Sequence, residues 1–299
     1  MNFSPSTAGR RILAAAGLLG ATAVLGVGVQ RRRFAREIAT STDRLHAAAT
    51  VRDGAFDRSE LAGLPDPVAN YFETVLQPGL AYATSVSLHQ TGTFRLGDAG
   101  SPWRSLEATQ HYTTRPPGFV WDATIDVAPL IRARVLDAYV DGDGILDARV
   151  LSAIRVANAG PSPEMDTGEL LRYLAEAVWF PTALLPSNGV EWQAVSTTAA
   201  SATIEHRGNT ASVVFHFDDG VVDRVTAERF RQAAGDDAPW TGTFENYQNR
   251  NGRLIPTRAA VEWTLPDGAL PYWRATIDDV EHRSERPGDV GSRPNRSVR

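Results

Sequence analysis

Residues 85–96, SVSLHQTGTFRL, alternate apolar and polar side chains over most of their length. Val86, Leu88, Phe94 and Leu96 are the apolar members, and a period of two is typical of a strand that buries one face. The same pattern predicts further strands along the chain, at 103–113, 118–127, 130–140, 145–156, 190–196, 200–207, 210–218, 221–231, 240–248, 255–264 and 271–281.

Turn signals separate these segments. Asp219-Gly220 and Asn251-Gly252 are dipeptides that supply the positive φ angles of tight hairpin turns. No alternation of strands with helices is visible, so the strands should be antiparallel. A sheet of about a dozen strands curls. The sequence therefore predicts a mainly β fold, a large curled antiparallel sheet or half-barrel covered by one or two helices.

Two helices are predicted within this array. Residues 65–76 begin with Pro65-Asp66-Pro67, and proline suits the first helical turn. The second helix begins at Asp166, which with Glu169 fits a capping box, and it ends at Pro181. An apolar stripe along this second helix consists of Leu170, Leu171, Leu174 and Val178.

Composition excludes several kinds of chemistry. The chain has 299 residues and no cysteine, which rules out disulfides, thiolate catalysis and zinc sites with cysteine ligands. It also lacks lysine, so all 30 basic residues are arginine and Schiff-base catalysis is excluded. Residues 45–282 carry a net charge of −13, which would repel a phosphate backbone. We therefore expect no nucleic-acid partner, and no motif predicts a cofactor.

The N-terminal region predicts a membrane anchor. Residues 12–29 are apolar except for Thr22, and Arg10-Arg11 and Arg31-Arg32-Arg33 flank them. A cleaved signal peptide or a buried core helix are the alternatives. The full division is a short flank at 1–11, the anchor at 12–29, a polar, helical stalk or linker at 30–64, the β-rich domain at 65–282 and a disordered tail at 283–299.

The membrane side of the soluble domain follows from the arginines. Four of them, Arg31, Arg32, Arg33 and Arg36, follow the apolar segment, whereas only Arg10 and Arg11 precede it. Positive charge favours the cytoplasmic side of a membrane, so the β-rich domain is predicted to face the cytoplasm.

Several segments resemble an uncharacterised bacterial domain family. They include LPDPVANYF at 64–72 and RYLAEAVWFPTALLP at 172–186, together with PGFVW at 117–121, DAYVDGDG at 137–144 and RLIP at 253–256. The family has no assigned activity, so the resemblance implies no function. The overall shape is also similar to half-barrel carriers of lipids and lipoproteins, an analogy at the level of the fold.

The predicted helix carries the main candidate ligand site. Glu169, Arg172 and Glu176 lie on one face of it, where Arg172 could hold a carboxylate or phosphate head group. The alternative is a solvated ladder of ion pairs. The candidate ligand-binding residues are Arg172, Tyr173, Glu176, Trp179 and Trp121.

A second candidate site depends on strand register. If the 97–102 loop closes a simple hairpin, His89 faces Thr109, and Glu107 and His111 become its diagonal neighbours. Two histidines and a carboxylate could hold a metal or act as an acid–base pair. A one-residue slip would place His89 on the opposite face.

Three functions remain open at this point. The sequence favours a membrane-anchored, non-enzymatic domain that binds a lipid or another apolar molecule, because tryptophans such as Trp121 can line a cavity inside a curled sheet. The alternatives are a metal-dependent or acid–base hydrolase that uses the His/Glu cluster, and an envelope scaffold that acts through protein contacts. No strong catalytic motif is present, which favours a protein that is not an enzyme.

Overall fold

A computed structural model describes residues 7–232 and 234–285, with side chains from residue 26 onward. Three α-helices occur in this part: α1 (Thr7–Ala48), α2 (Asp66–Val75) and α3 (Pro163–Glu176). Short 3-10 helices span Arg58–Leu61, Ala177–Trp179, Pro181–Leu184 and Pro186–Asn188. Both helices predicted within the β-rich domain are therefore confirmed.

The predicted membrane segment, 12–29, lies mostly outside the residues whose side chains are described. Among the described residues, no helix has the length and apolarity needed to cross a membrane. The tail predicted at 283–299 lies outside the described residues from position 286 onward.

In the described part of the chain, thirteen strands form one antiparallel sheet, which confirms the mainly β fold. They are β1 (Ser85–Arg95), β2 (Trp103–Thr114), β3 (Pro117–Ala128), β4 (Ile131–Val140), β5 (Asp143–Val150), β6 (Ile154–Ala159), β7 (Val190–Ser196), β8 (Ala199–His206), β9 (Asn209–Asp218), β10 (Val221–Arg231), β11 (Asp236–Arg250), β12 (Arg253–Leu265) and β13 (Gly268–Arg283). The segment predicted as one strand at 145–156 is divided between β5 and β6.

The strand order shows an open sheet. It runs β6-β5-β4-β3-β2-β1-β13-β12-β11-β10-β9-β8-β7, so the first and last strands of the chain pair at the centre and β6 and β7 form the edges. Helix α3 contacts β3, β4 and β5 in one half and β8, β9 and β10 in the other. The sheet therefore curls around α3.

Contacts between two turns hold the curl. Asn209 at the start of β9 donates a hydrogen bond from Nδ2 to the carbonyl oxygen of Gly142 in the β4–β5 turn, at 3.1 Å. The Tyr139 hydroxyl of β4 and His206 Nδ1 of β8 are 3.0 Å apart. Strands that are far apart in the sheet order thus meet across α3.

Helix α1 packs on the outer face of the sheet. Phe34, Ile38 and Leu45 are buried there in one cluster with Val120 of β3 and Leu136 of β4. The inward-facing neighbours on these strands belong to the main core, so β3 and β4 are buried on both faces. The first part of the region predicted as a helical stalk or linker is therefore helical, but it is docked on the sheet through its apolar residues.

The start of α3 differs from the prediction. The helix begins at Pro163, and the Ser162 hydroxyl accepts a hydrogen bond from the Met165 backbone at 3.2 Å. Asp166 instead accepts from the Gly144 backbone N–H at 2.6 Å, which ties α3 to the start of β5. The predicted capping box at Asp166 is wrong, because Ser162 and Pro163 already form the N-terminus of the helix one turn earlier.

Candidate functional site

A cavity of about 300 Å³ lies between α3 and the concave face of the sheet. Four of the seven tryptophans line it, with three further aromatic residues. The aromatic lining consists of Phe94, Trp121, Trp179, Trp240, Phe244, Tyr272 and Trp273. Aliphatic side chains such as Ile125, Val135 and Val261 complete most of the wall. Inward-facing residues of a curled sheet build this lining because successive side chains alternate between its two faces.

One wall of the cavity is charged and buried. Arg172 donates from Nε to Glu176 at 2.8 Å and from NH1 to Asp137 of β4 at 2.6 Å. Arg229 of β10 donates to Glu169 at 2.9 Å. The side chains of these five residues are at most 15% exposed. The ion pairs on α3 are therefore not a solvated ladder but a buried network that joins the helix to both halves of the sheet.

Uncharged side chains extend this network along the cavity wall through further hydrogen bonds. Glu176 Oε2 accepts from Gln110 Nε2 and from the Tyr112 hydroxyl, both at 2.8 Å. Gln90 Nε2 donates to Gln110 Oε1 at 3.0 Å, and Trp121 Nε1 donates to Gln90 Oε1 at 2.9 Å. This series of hydrogen bonds fixes the rotamers of the buried polar side chains. It also offsets the free-energy cost of removing these groups from water.

The charges in the wall do not balance when every group is ionised. Two arginines face three carboxylates, Asp137, Glu169 and Glu176. Burial, reinforced by the neighbouring Asp137 charge, raises the pKa of Glu169 to about 7. Burial also raises the pKa of Asp137, although Arg172 and Arg229 oppose the shift. Proton uptake by Glu169 would thus neutralise the excess negative charge near pH 7.

Two carboxyl oxygens in the wall have no hydrogen-bond partner. These are Asp137 Oδ1 and Glu169 Oε2, and both are buried. Asp137 lines the cavity. An unmatched buried acceptor costs about 1–3 kcal/mol, so a ligand that carries a hydroxyl, amide or amine would gain from Asp137 Oδ1 once the side chain turns this covered atom toward the cavity.

Four of the five predicted ligand-binding residues lie together. Arg172, Glu176, Trp179 and Trp121 all line the cavity. Tyr173 is outside the lining and packs instead against Phe180, with ring centroids 5.6 Å apart.

Five polar residues of the wall were not predicted from the sequence, and one of them is Tyr112 of β2. Asp137, Arg229, Gln90 and Gln110 all come from strands and meet only when the sheet curls. Asp137 carries a signal that could have found it: it lies between Val135 and Tyr139 on the inward side of a strand, where an apolar residue is expected.

The His/Glu cluster forms only in part. Of the two registers that the sequence left open, the structure has the one in which His89 pairs with Thr109. His89 Nε2 is 3.3 Å from Glu107 Oε1, and its Nδ1 is 3.5 Å from Asp278 Oδ2. Glu107 is 71% exposed on the outer face of the sheet, away from the cavity.

His111 takes no part in that pair. Its ring lies edge-on to His46 of α1, with centroids 5.2 Å apart. Burial, together with the His46 charge, lowers the pKa of His111 to about 4. In the part of the chain with described side chains, no group of three histidine, cysteine or acidic residues is arranged to hold a metal ion.

Two solved structures share a distant similarity with this chain. One is a LolA superfamily protein from Nitrosomonas europaea, with 11% identity and a TM-score of 0.40, covering 74% of this chain and 94% of that one. The other is a β-barrel-like protein of domain of unknown function DUF1849 from Brucella abortus, with 8% identity and a TM-score of 0.23, covering 68% of this chain and 99% of that one.

No curated protein matches the sequence. A family match covers most of the β-rich domain, from residue 54 to residue 275. It includes the strands that build the cavity and helix α3, and it contains the segments quoted above as a family resemblance. The chain therefore belongs to the family of unknown function DUF6544.

Proposed function

We propose that this protein binds a lipid or another apolar molecule in the cavity under α3, without catalysing a reaction, and that residues 12–29 anchor it in a membrane. The aromatic cavity is the observation that carries the proposal. Its volume falls at the lower end of the range for small-molecule sites. A single alkyl chain or a small ring system fits this size better than a complete two-chain lipid.

The lining explains the preference for an apolar ligand. Trp121, Trp240 and Trp273 provide large aromatic surfaces, and each is already held in the folded core. A ligand that enters such a site loses water contacts over its apolar surface, which stabilises the complex by about 0.8 kcal/mol for each buried methylene group. Rigid aromatic walls lose little conformational entropy on binding.

The charged wall gives the ligand an orientation. Arg172 has its Nε and NH1 groups engaged by Glu176 and Asp137, so the network is organised before a ligand arrives. Within this network, Asp137 Oδ1 is a buried acceptor that has no hydrogen-bond partner. We therefore expect the polar end of the ligand to be a hydrogen-bond donor such as a hydroxyl or an amine, in place of the carboxylate or phosphate considered from the sequence.

The membrane anchor rests on the sequence. Residues 12–29 are long enough to approach the hydrocarbon thickness of a bilayer, and arginines flank them on both sides. The larger number of arginines after the segment supports a cytoplasmic β-rich domain.

The cavity favours this function over the two alternatives. A scaffold that acts only through protein contacts needs no aromatic cavity. A hydrolase based on His89 and Glu107 would have an exposed pair on the outer face, separated from the cavity by the sheet, and His111 is engaged elsewhere.

A quenching experiment tests the binding. The full-length protein, purified in detergent and stripped of lipid, is titrated with a long-chain alcohol brominated in its alkyl chain. Bromine quenches tryptophan on contact, so the four tryptophans of the lining should lose fluorescence in a saturable way. An equal loss of tryptophan fluorescence on addition of the unbrominated alcohol would show that contact with bromine is not the cause.

Two neighbouring alanines of β12 provide the matched variants. Ala259 and Val261 of β12 line the cavity, so Ala260 between them points to the opposite face of the sheet. Ala259→Phe should fill the cavity and reduce the apparent affinity at least tenfold, and Ala260→Phe should leave it unchanged. Equal affinities in two folded variants, or no saturable quenching in the unaltered protein, would overturn the proposal.

A further inference from the structure

Exposed apolar side chains gather at one end of the sheet. Because successive hairpin turns alternate between the two ends of an antiparallel sheet, the β1–β2, β3–β4 and β5–β6 turns share one end. Five exposed large apolar residues lie in or beside these three turns, and we name them the apolar rim: Leu96, Leu130, Ile131, Leu151 and Ile154. Leu130 is completely exposed, at the tip of its turn.

Helix α1 leaves the sheet at this same end. Arg31 lines one groove together with Leu130 and Leu151. At the other end of the helix, Arg44 pairs with Asp141 in the β4–β5 turn, and Thr50 bonds to Arg115 in the β2–β3 turn. The helix thus runs along the strands from the opposite end of the sheet to the apolar rim.

The apolar sequence begins directly beyond the rim. Val29, the last residue of the 12–29 segment, lies in α1 two positions before Arg31, which corresponds to about 3 Å along a helix axis. Arg31, Arg32 and Arg33 are exposed here. Arginines beside apolar side chains suit the head-group region of a bilayer, where anionic lipids attract them.

The cavity also opens toward the rim. Leu96 belongs to both, since it lines the cavity and is 48% exposed directly after β1. The ends of β12 and β13 that contribute Val261 and Tyr272 to the cavity adjoin the β12–β13 turn, which falls at the same end of the sheet.

We propose that the apolar rim rests in the surface of the bilayer that holds residues 12–29, so that the ligand passes between membrane and cavity without crossing water. This inference rests on the proposed membrane anchor and on the proposed ligand cavity. The occupant of the rim is the lipid bilayer, because the chain that leaves this end of the sheet is itself apolar.

Fluorophores at two matched turns test the inference. The chain has no cysteine, so single cysteines can be labelled without background. Leu130→Cys lies in the rim, and Asn251→Cys lies in the β11–β12 turn at the opposite end; both positions are exposed and have a positive φ, 63° and 52°. Each full-length variant carries an environment-sensitive label and is reconstituted in vesicles of phosphatidylcholine and phosphatidylglycerol.

Lipids with a nitroxide on the acyl chain then act as the quencher. We expect the label at 130 to lose at least half of its fluorescence and the label at 251 to lose less than a tenth. Equal quenching at the two positions would overturn the proposed orientation.

A wash in alkaline carbonate distinguishes a failure of the proposed membrane anchor from a failure of the rim inference. If the protein stays with the vesicles but the label at 130 is not quenched, the anchor stands and the rim inference fails. If the wash removes the protein, the anchor itself fails, and the rim inference fails with it. The alcohol-quenching experiment remains an independent test of the cavity.

Discussion

Arg172 of α3 and Asp137 of β4 form a buried ion pair, with NH1 2.6 Å from Oδ2 and both side chains at most 15% exposed. The pair joins the central helix to the sheet at the wall of the cavity. Arg172 also lies over the rings of Phe119 and Trp121, at 4.8 and 5.2 Å from their centroids. One side chain thus connects the charged wall to the aromatic lining.

Loss of this arginine should destabilise the protein strongly. Arg172→Met leaves Asp137 and Glu176 buried without their cation, and breaking a buried pair in this way costs about 3–5 kcal/mol. Chemical denaturation of the full-length protein in detergent measures the change. Arg258→Met is the control, because its pair with Glu245 is exposed and should contribute less than about 1 kcal/mol. Equal losses in the two variants would contradict this description of the wall.

Glu169 should make the protein less stable as pH rises from about 4.5 to about 7. Its pKa is raised from 4.5 to about 7 in the fold, so the folded state binds a proton that the unfolded state has released. Unfolding free energy then falls with increasing pH across this window. Glu169→Gln removes the titrating proton, and the variant should gain stability relative to the unaltered protein as pH increases.

The difference between the two proteins is the quantity to measure. His111 and His282 have folded pKa values lowered to about 4, so their contributions increase stability as pH rises through the same region. These contributions cancel when the variant is compared with the unaltered protein at each pH. A difference that is constant from pH 4.5 to 8 would show that Glu169 does not titrate in the fold as described.

Phe34 should be essential for the docking of α1. It is fully buried against the outer face of the sheet, and the Arg149 guanidinium lies 4.1 Å from its ring centroid. Phe34→Ala should cost about 3–5 kcal/mol of local stability, the usual range for loss of a buried phenylalanine. Hydrogen exchange of residues 34–48 reports the change, and Arg33→Ala, an exposed neighbour, is the control. Unchanged protection in Phe34→Ala would show that α1 docks by other contacts.

Much of the fold could be predicted because strands and turns are determined by residues that are close together in the sequence. The alternation of side chains located the strands closely, whereas the 97–102 loop left two registers of the β1–β2 hairpin open, of which the structure has His89 opposite Thr109. Periodicity and turn residues act over a few positions, so the sequence displays them directly. The division of 145–156 into two strands was missed because the turn at 151–153 contains no glycine, asparagine or proline.

Apart from Trp121 of β3, the site residues that could be predicted lie on α3 and in the short 3-10 helix that follows it. Arg172 and Glu176 share a face of α3 at a spacing of four residues, which the sequence shows. Asp137 and Arg229 lie on strands in opposite halves of the sheet, and only the curl around α3 brings both to the same helix. The docking face of α1 was missed for a related reason: three apolar residues in a polar helix become a face only when a sheet covers them.

The decisive measurement is native mass spectrometry of the full-length protein, released gently from its own membranes. If the cavity under α3 holds an apolar ligand, we expect an added mass of several hundred daltons that organic solvent removes, and that is lost in Ala259→Phe and retained in Ala260→Phe. A bare protein mass, or an added mass that survives in a folded Ala259→Phe variant, would show that this cavity is not a site for an apolar ligand.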